Sequence, residues 1–508
     1  MNTYLAITIG PIYKTMQQTR KTREAWISSY FFSLLMKHIY TVAKPKGSVI
    51  LPTEKSKDNF FGAGIYPDRL IMTLTDENID VQTQIIDIAI KEFATKIKIE
   101  YNTINSYLNI HFIKISKEEI KSLVILNDKK EEITSDIHKL NYLLDVKELN
   151  LSYQNSDSSF FTELFKHATR KELYKTEFNS KKYKFDSIFD ISAQHSNALK
   201  EAKATITDND NIEVELLKNE NFLNKLKKHE KYIAIIQADG DNFGKVVASF
   251  NDDGEKLNNF SKDLVAFSEK ASAMIDSFGG TIIYIGGDDI LAFCPVKDNS
   301  NKTIFDLIDE LNKEFHKVFD KPHYIENKVS LSYGLSITYY KYPLNEAMKL
   351  AYQLLMYKAK KQPHKNCIAF QLLQHSGQTQ ETILEFGDNN NFNSFLIMID
   401  NFSEKDKLLQ SLTHTLIEDK ILLQECLKNK DRLNGYFLNH YNTNEKTKDV
   451  KDFIDAVKKN LFSTYKKLVE QNEKNPEKIK ETKNIEFETL SQLNTLCRTI
   501  NFLNSENE

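Results

Sequence analysis

Apolar residues along this chain follow two rhythms that alternate in the same order twice. Short apolar runs of strand length stand at Tyr4-Leu5-Ala6-Ile7-Thr8-Ile9 and at Tyr232-Ile233-Ala234-Ile235-Ile236. Each leads through polar residues into a stretch with helical spacing. The first, over residues 20–38, aligns Trp26, Ile27, Phe31, Leu34 and Leu35 on one stripe; the second, over 257–278, aligns Leu264, Phe267 and Met274. A strand pair follows in each copy, 48–51 with 64–72 and 281–285 with 290–293. The spacing then predicts a helix (81–97; 302–319) and a last strand (107–115; 329–339).

The order βαββαβ is that of a ferredoxin-like palm, so the chain reads as an α+β protein with two such domains. Residues 1–115 form the first palm, 116–226 a mostly helical insert, 227–377 the second palm and 378–508 a C-terminal helical domain. The insert carries a turn-like cluster, Asn155-Ser156-Asp157-Ser158-Ser159. In the last segment Ser403 and Asp406 make a capping-box start, and Phe453, Ile454, Val457 and Leu461 give a helical stripe. Aligning the two palms places Asp68 on Asp289, Pro67 on Asp288 and Pro11 on Asp239.

Composition narrows the class. A net charge of −3 gives no global nucleic-acid signature, although a local patch or a neighbouring subunit can still contact RNA. Cys294, Cys367, Cys426 and Cys497 stand singly, so neither a zinc ribbon nor a disulfide framework is expected. No stretch approaches the roughly 18 apolar residues of a membrane span, and the amino terminus lacks a signal-peptide pattern. A cytoplasmic protein is the expectation.

The chemistry concentrates in the second palm. Ala238-Asp239-Gly240-Asp241 ends a buried strand with a carboxylate, and Gly286-Gly287-Asp288-Asp289 supplies two more on a tight turn. Carboxylates at Asp239, Asp288 and Asp289 repel one another unless cations neutralise them. Hard oxygen ligands with open positions suit Mg²⁺ or Mn²⁺ carrying triphosphate oxygens. Gly286 and Gly287 permit a tight turn and close backbone approach to a nucleotide. The same turn composition also occurs in plain hairpins; the strand aspartate and the palm order favour catalysis. Lys360 lies on the helix after the last palm strand, within reach of phosphates or simply exposed. Ser332 and Gly334 fall where that strand passes the expected nucleotide, or serve packing.

These residues carry a resemblance. The runs YLAITIGPI, TRKTREAWISSYFFSLL, GAGIYPDR, ADGDNFGK, IGGDDILAF, LSYGLSI and AYQLLMYKAKK, in that order, are similar to the large polymerase/cyclase subunit of type III-B (Cmr-type) CRISPR effector complexes, in the form lacking an HD nuclease domain. The resemblance implies two facing palms with a nucleotide pair between them. It assigns catalysis and metal binding to Asp239, Asp288 and Asp289, and a degenerate first palm to the positions around Pro11 and Pro67. It further implies that target RNA paired to a guide RNA triggers polymerisation of ATP into cyclic oligoadenylate. The C-terminal helices are then expected to meet the small helical subunits of the complex. With the palm beginning at residue 4, single-stranded DNA cleavage is not expected of this chain, and no zinc is expected between the palms.

Other readings remain open. The same centre can join ATP to S-adenosylmethionine, with Asp68 receiving the ligand's ammonium; otherwise Asp68 is a hairpin residue paired with Arg69. A GGDEF-like diguanylate cyclase is a further alternative, although Ile290 stands where that class has Phe. A scaffold with an inactive palm is the non-enzymatic one.

Overall fold

The computed structural model describes residues 3–52, 66–126, 130, 132–149, 158–167, 186–205, 216–217, 219–387, 391–401, 406–441, 447–474 and 484–505. Residues 62–65 of the first hairpin, Asn155 to Asp157 of the turn cluster, and Ser403 lie outside them.

The apolar runs become strands in which alternate side chains enter opposite cores. In β1 (Thr3–Gly10), Leu5, Ile7 and Ile9 face one side, while Tyr4 and Ala6 face the other. β1 pairs antiparallel with β3 (Arg69–Leu74) and β4 (Asn109–Ser116), and β2 (Gly47–Leu51) closes the order β2-β3-β1-β4. The second sheet repeats this with β5 (Tyr232–Asp241), β6 (Thr281–Gly286), β7 (Asp289–Pro295) and β8 (Ser330–Tyr339). Both are the ferredoxin-like order, and the mixed α and β architecture follows.

The second sheet is larger than its sequence pattern suggests. β9 (Cys367–Leu373) runs parallel to β8, and β10 (Thr379–Glu385) pairs antiparallel with β9, giving β10-β9-β8-β5-β7-β6. Residues 379–385, placed by sequence in the C-terminal helical segment, are therefore an edge strand. Gln380, Thr382 and Leu384 are buried while Thr379 and Glu381 are exposed, so the alternation is present, but with polar residues on its inner face. Polar inward residues hide a strand from a hydrophobicity search.

The two palms share a core. Ile233, Ile235, Leu291 and Phe293 of the second sheet pack into the same cluster as Trp26, Phe31 and Leu35 of the helix Thr22–Ala43. The opposite face, with Ala234, Ile236 and Ala292, is covered by the helices Gly254–Phe278 and Ile304–Val318. The helix Asp136–Leu149 packs Ile137, Leu140 and Leu144 against Tyr4, Ala6 and Ile71. Its N-terminus is satisfied from the second palm: Asp252 accepts from Asp136 N–H at 2.7 Å, Ile137 N–H at 3.1 Å and the Ser135 hydroxyl at 2.8 Å. Hydrophobic burial and this cap fix one palm against the other.

The C-terminal segment from Asn391 is helical, and its last helix, Ile485–Asn504, packs on β10. All four cysteines are buried packing residues. No described helix is long and apolar enough to cross a membrane.

Candidate active site

Strand alternation puts Asp239 and Asp241 on the same face of β5, opposite Ser332 and Ser330 of β8. Asp241 is fully buried. Its carboxylate accepts from the Ser330 hydroxyl at 2.8 Å, the Ser332 hydroxyl at 2.7 Å, the Asn366 N–H at 3.3 Å and the Lys360 ammonium at 2.8 Å. Lys360 follows a π-type turn, Leu354–Ala359, that continues the helix Leu344–Gln353. Its ammonium also reaches the Asp239 carboxylate at 2.9 Å and the main-chain oxygens of Asp239 at 2.8 Å and Gly240 at 2.6 Å.

The β6–β7 hairpin brings the remaining carboxylates. Gly286 pairs with Asp289, leaving Gly287 and Asp288 as the two turn residues, and Gly287 takes φ 68° at the first of them. Asp288 folds back against Gly240: a Cβ on Gly240 would lie 2.6 Å from Asp288 Oδ2 and 2.2 Å from the Phe243 ring. Only glycine permits that approach. Ser332, expected beside the nucleotide, is instead buried and bonded to Asp241. Gly334 packs against the helix behind it, where a Cβ would meet Ala351 O at 2.1 Å.

Carboxylates crowd here with one lysine among them. Burial and the neighbouring Asp239 push Asp288 up to about 7. Asp239 is also raised by burial, against the pull of Lys360. Burial raises Asp289 well above the usual carboxylate range, and Asp288, Asp239 and Asp68 add repulsion. Asp289 is nonetheless an exposed residue at the cleft mouth, so water offsets much of that dehydration. The site is short of positive charge.

Among the described residues, no three His, Cys, Asp or Glu side chains converge enough to enclose a metal unaided. The donors nonetheless fit Mg²⁺ or Mn²⁺. Such ions usually take one or two carboxylates and complete their shell with water and substrate phosphates, and Asp239 and Asp288 provide that pair.

A cleft of about 380 Å³ opens between the palms. Asp239, Asp289 and Tyr284 line its second-palm side, and Ile12, Met16 and Asp68 its first-palm side. Tyr13 and Tyr352 meet across it with ring centroids 4.4 Å apart. Asp68 therefore faces the shared cleft. It forms no ion pair with Arg69, which turns to Asn141, Asp145 and Glu148 on the helix Asp136–Leu149. Asp68 is exposed at the cleft, and its partial enclosure there, against the pull of Arg69, raises it above the ordinary carboxylate range.

The register corrects the alignment of the two palms. Ile9 N–H bonds Asp68 O at 3.0 Å, so Ile9 lies opposite Asp68. Continuing the β5–β7 register places Asp239 opposite Asp289. With Asp68 on Asp289, the counterpart of Asp239 is thus Ile9, and Pro11 matches Asp241. A shift of two residues leaves every side chain on its face, so alternation could not detect it. Sequence reading also missed Asp241, although Asp-Gly-Asp on a strand puts both carboxylates on one side. Nothing local announces the Tyr13–Tyr352 pair.

Comparison with known proteins gives two domain matches. Residues 232–369 match the model of "Cas10/Cmr2, second palm domain", and residues 4–104 that of "CRISPR-associated protein Cmr2, N-terminal". The CRISPR system Cmr subunit Cmr2 of Pyrococcus furiosus is 32% identical over 189 residues, covering 31% of this chain and 20% of that relative. The matched stretch is thus a fifth of the relative's length. A type III-B Cmr-beta structure in the apo state is similar in fold, with TM-score 0.54, 13% identity and coverage of 83% of this chain and 75% of the other. A Csm1–Csm4 cassette in complex with AMPPNP is similar with TM-score 0.50, 13% identity and coverage of 91% and 69%.

Proposed function

We propose that this chain, whose two palms match Cas10/Cmr2 domain models, is a metal-dependent nucleotidyltransferase that uses ATP within a Cmr-type type III CRISPR effector complex. The observation that carries this reading is the pairing of Asp239 with Asp288 across Gly240, at the edge of a cleft walled by a second palm. Mg²⁺ or Mn²⁺ bound there would lower the pKa of an attacking 3′-hydroxyl and screen charge on the α-phosphate and pyrophosphate. Asp239 and Asp288 would hold the cation, and Asp289 would add negative potential at the cleft side. Tyr13, Tyr352, Met16 and Met348 give bases an apolar, polarisable wall. The 3′-oxygen of one nucleotide bonds to the α-phosphorus of the other as the bond to pyrophosphate breaks. Repetition and closure yield cyclic oligoadenylate.

The activating signal is target RNA paired to guide RNA in the assembled complex. The C-terminal helices expose Ile417, Ile421 and Leu422, an apolar face suited to small helical subunits.

Mass spectrometry of products from the reconstituted complex, given target RNA, Mg²⁺ or Mn²⁺ and ATP, tests the proposal. Replacing Asp288 and Asp289 together by alanine should abolish product and leave assembly intact. Unchanged turnover in that variant, or in EDTA, refutes it.

A second reading is favoured by Asp68, whose carboxylate opens to the cleft while Arg69 is engaged elsewhere. There the acceptor is S-adenosylmethionine, whose carboxylate oxygen bonds to the ATP α-phosphorus as the bond to pyrophosphate breaks, and whose ammonium sits on Asp68. Adding that compound to the same assay should then yield a conjugate, and Asp68→Ala should weaken its binding by about ten- to a hundredfold while sparing ATP. No conjugate, and no effect of Asp68→Ala, removes this reading.

A further inference from the structure

The Lys360 ammonium occupies the position of a cation. It contacts four oxygens at 2.6–2.9 Å: the main-chain oxygens of Asp239 and Gly240, Asp239 Oδ2 and Asp241 Oδ1. Three N–H bonds serve these four acceptors, so the shell is full and none is left for a phosphate. The side chain is only 11% exposed. A lysine placed solely to meet a triphosphate would point into the cleft; this one points at the strand.

Asp239 Oδ2 is also an oxygen that the proposed metal site needs. A divalent ion approaching Asp239 therefore meets an oxygen already held by an ammonium. Asp241 is different, because Ser330, Ser332 and the Asn366 N–H satisfy it independently. Its carboxylate stays in place whether or not the lysine leaves Asp239.

We propose that Lys360 is the counter-cation of these carboxylates before metal binds, displaced from Asp239 when the divalent ion enters and kept within reach by Asp241. This rests on the reading of Asp239 as a metal-holding residue. Three consequences follow. The crowded carboxylates are partly neutralised before metal arrives. Metal entry works against a competing charge, which disfavours a loaded site without substrate. Once the ammonium has moved off both Asp239 oxygens, Gly240 O and Asp241 Oδ1 take two of its N–H bonds and the third is free beside the cleft, where a phosphate is its best partner. Metal and nucleotide then favour each other's binding, and that coupling is reciprocal.

The experiment is a titration of the nucleotide-free, full-length chain with Mn²⁺, following free ion by electron paramagnetic resonance. Lys360→Met should bind Mn²⁺ about ten- to a hundredfold more tightly than the natural chain, as expected when charge-assisted contacts no longer have to be broken. Lys365→Met is the control for simple charge. Lys365 acts on Asp239 only through the field and forms no ion pair with it, so its loss should change affinity by less than about fivefold. Equal tightening in the two variants, or none in Lys360→Met, overturns the proposal. Asp239→Asn separates the two levels. If it weakens Mn²⁺ binding while Lys360→Met changes nothing, the metal site stands and the counter-cation fails. If Asp239→Asn leaves Mn²⁺ binding unchanged, the metal reading itself is wrong. Should Lys360→Met not fold, Lys360→Gln keeps a donor for the carbonyls without the charge and must tighten binding in the same way.

Discussion

Replacing Asp241 by asparagine exchanges one oxygen for an NH₂ at a fully buried position. Every neighbour of that carboxylate is a donor. Oδ2 accepts from Ser330, Ser332 and the Asn366 N–H, and Oδ1 from Lys360. With the amide nitrogen in the Oδ1 place, it opposes an ammonium at the 2.8 Å now occupied by a hydrogen bond. Turned the other way, it opposes the Asn366 N–H, which cannot reverse, although the serine hydroxyls can rotate. Either orientation removes the buried charge that balances Lys360. Breaking a buried ion pair costs about 3–5 kcal/mol; Lys360 retains Asp239, so the lower end, about 3 kcal/mol, applies. Hydrogen exchange at β5 and β8 amides should then accelerate by about a hundredfold. The thermal transition of the second palm should fall by about 6–12 °C, at the 2–4 °C per kcal/mol usual for a domain of that size. A shift under about 2 °C with unchanged exchange would show that the Asp241 network does not hold these strands.

Two further substitutions probe other parts of the chain. Gly240→Ala places a methyl group 2.6 Å from Asp288 Oδ2; the hairpin must retreat, and nucleotide product formation should drop about a hundredfold with a stability loss of about 1–3 kcal/mol. Activity close to that of the natural chain would show that Asp288 need not sit there. Burial, with Lys297 and Lys227, pushes His229 down to about 3, so the unfolded chain takes up a proton below pH 6.5 that the folded one refuses. Stability therefore falls as pH drops from about 6.5 toward 3, by up to about 1.4 kcal/mol per pH unit. His229→Asn should flatten that slope between pH 6.5 and 5 in denaturant titrations, and an unchanged slope would contradict a buried neutral imidazole.

Local pattern was enough to identify two palms, because each strand needs alternate residues for two cores and each helix needs an apolar stripe. It was also enough to single out Asp239 and the Gly286–Asp289 turn, where carboxylates and glycines are adjacent in sequence. The edge strand Thr379–Glu385 escaped because its buried positions include Gln380 and Thr382. The pairing of Asp68 with Ile9 escaped because a slip of two residues conserves facing.

What the sequence determined by itself was the set of elements and the chemical character of the turn, since both rest on neighbours a few residues apart. The tertiary structure alone decided that Lys360, more than a hundred positions from Asp241, would fill its oxygen cage. It alone decided that Tyr13 would meet Tyr352 across the palms, and that Asp68 would face the cleft while Arg69 turned away. Those choices depend on how two sheets share one apolar core, and long-range packing leaves no mark on the periodicity of either partner.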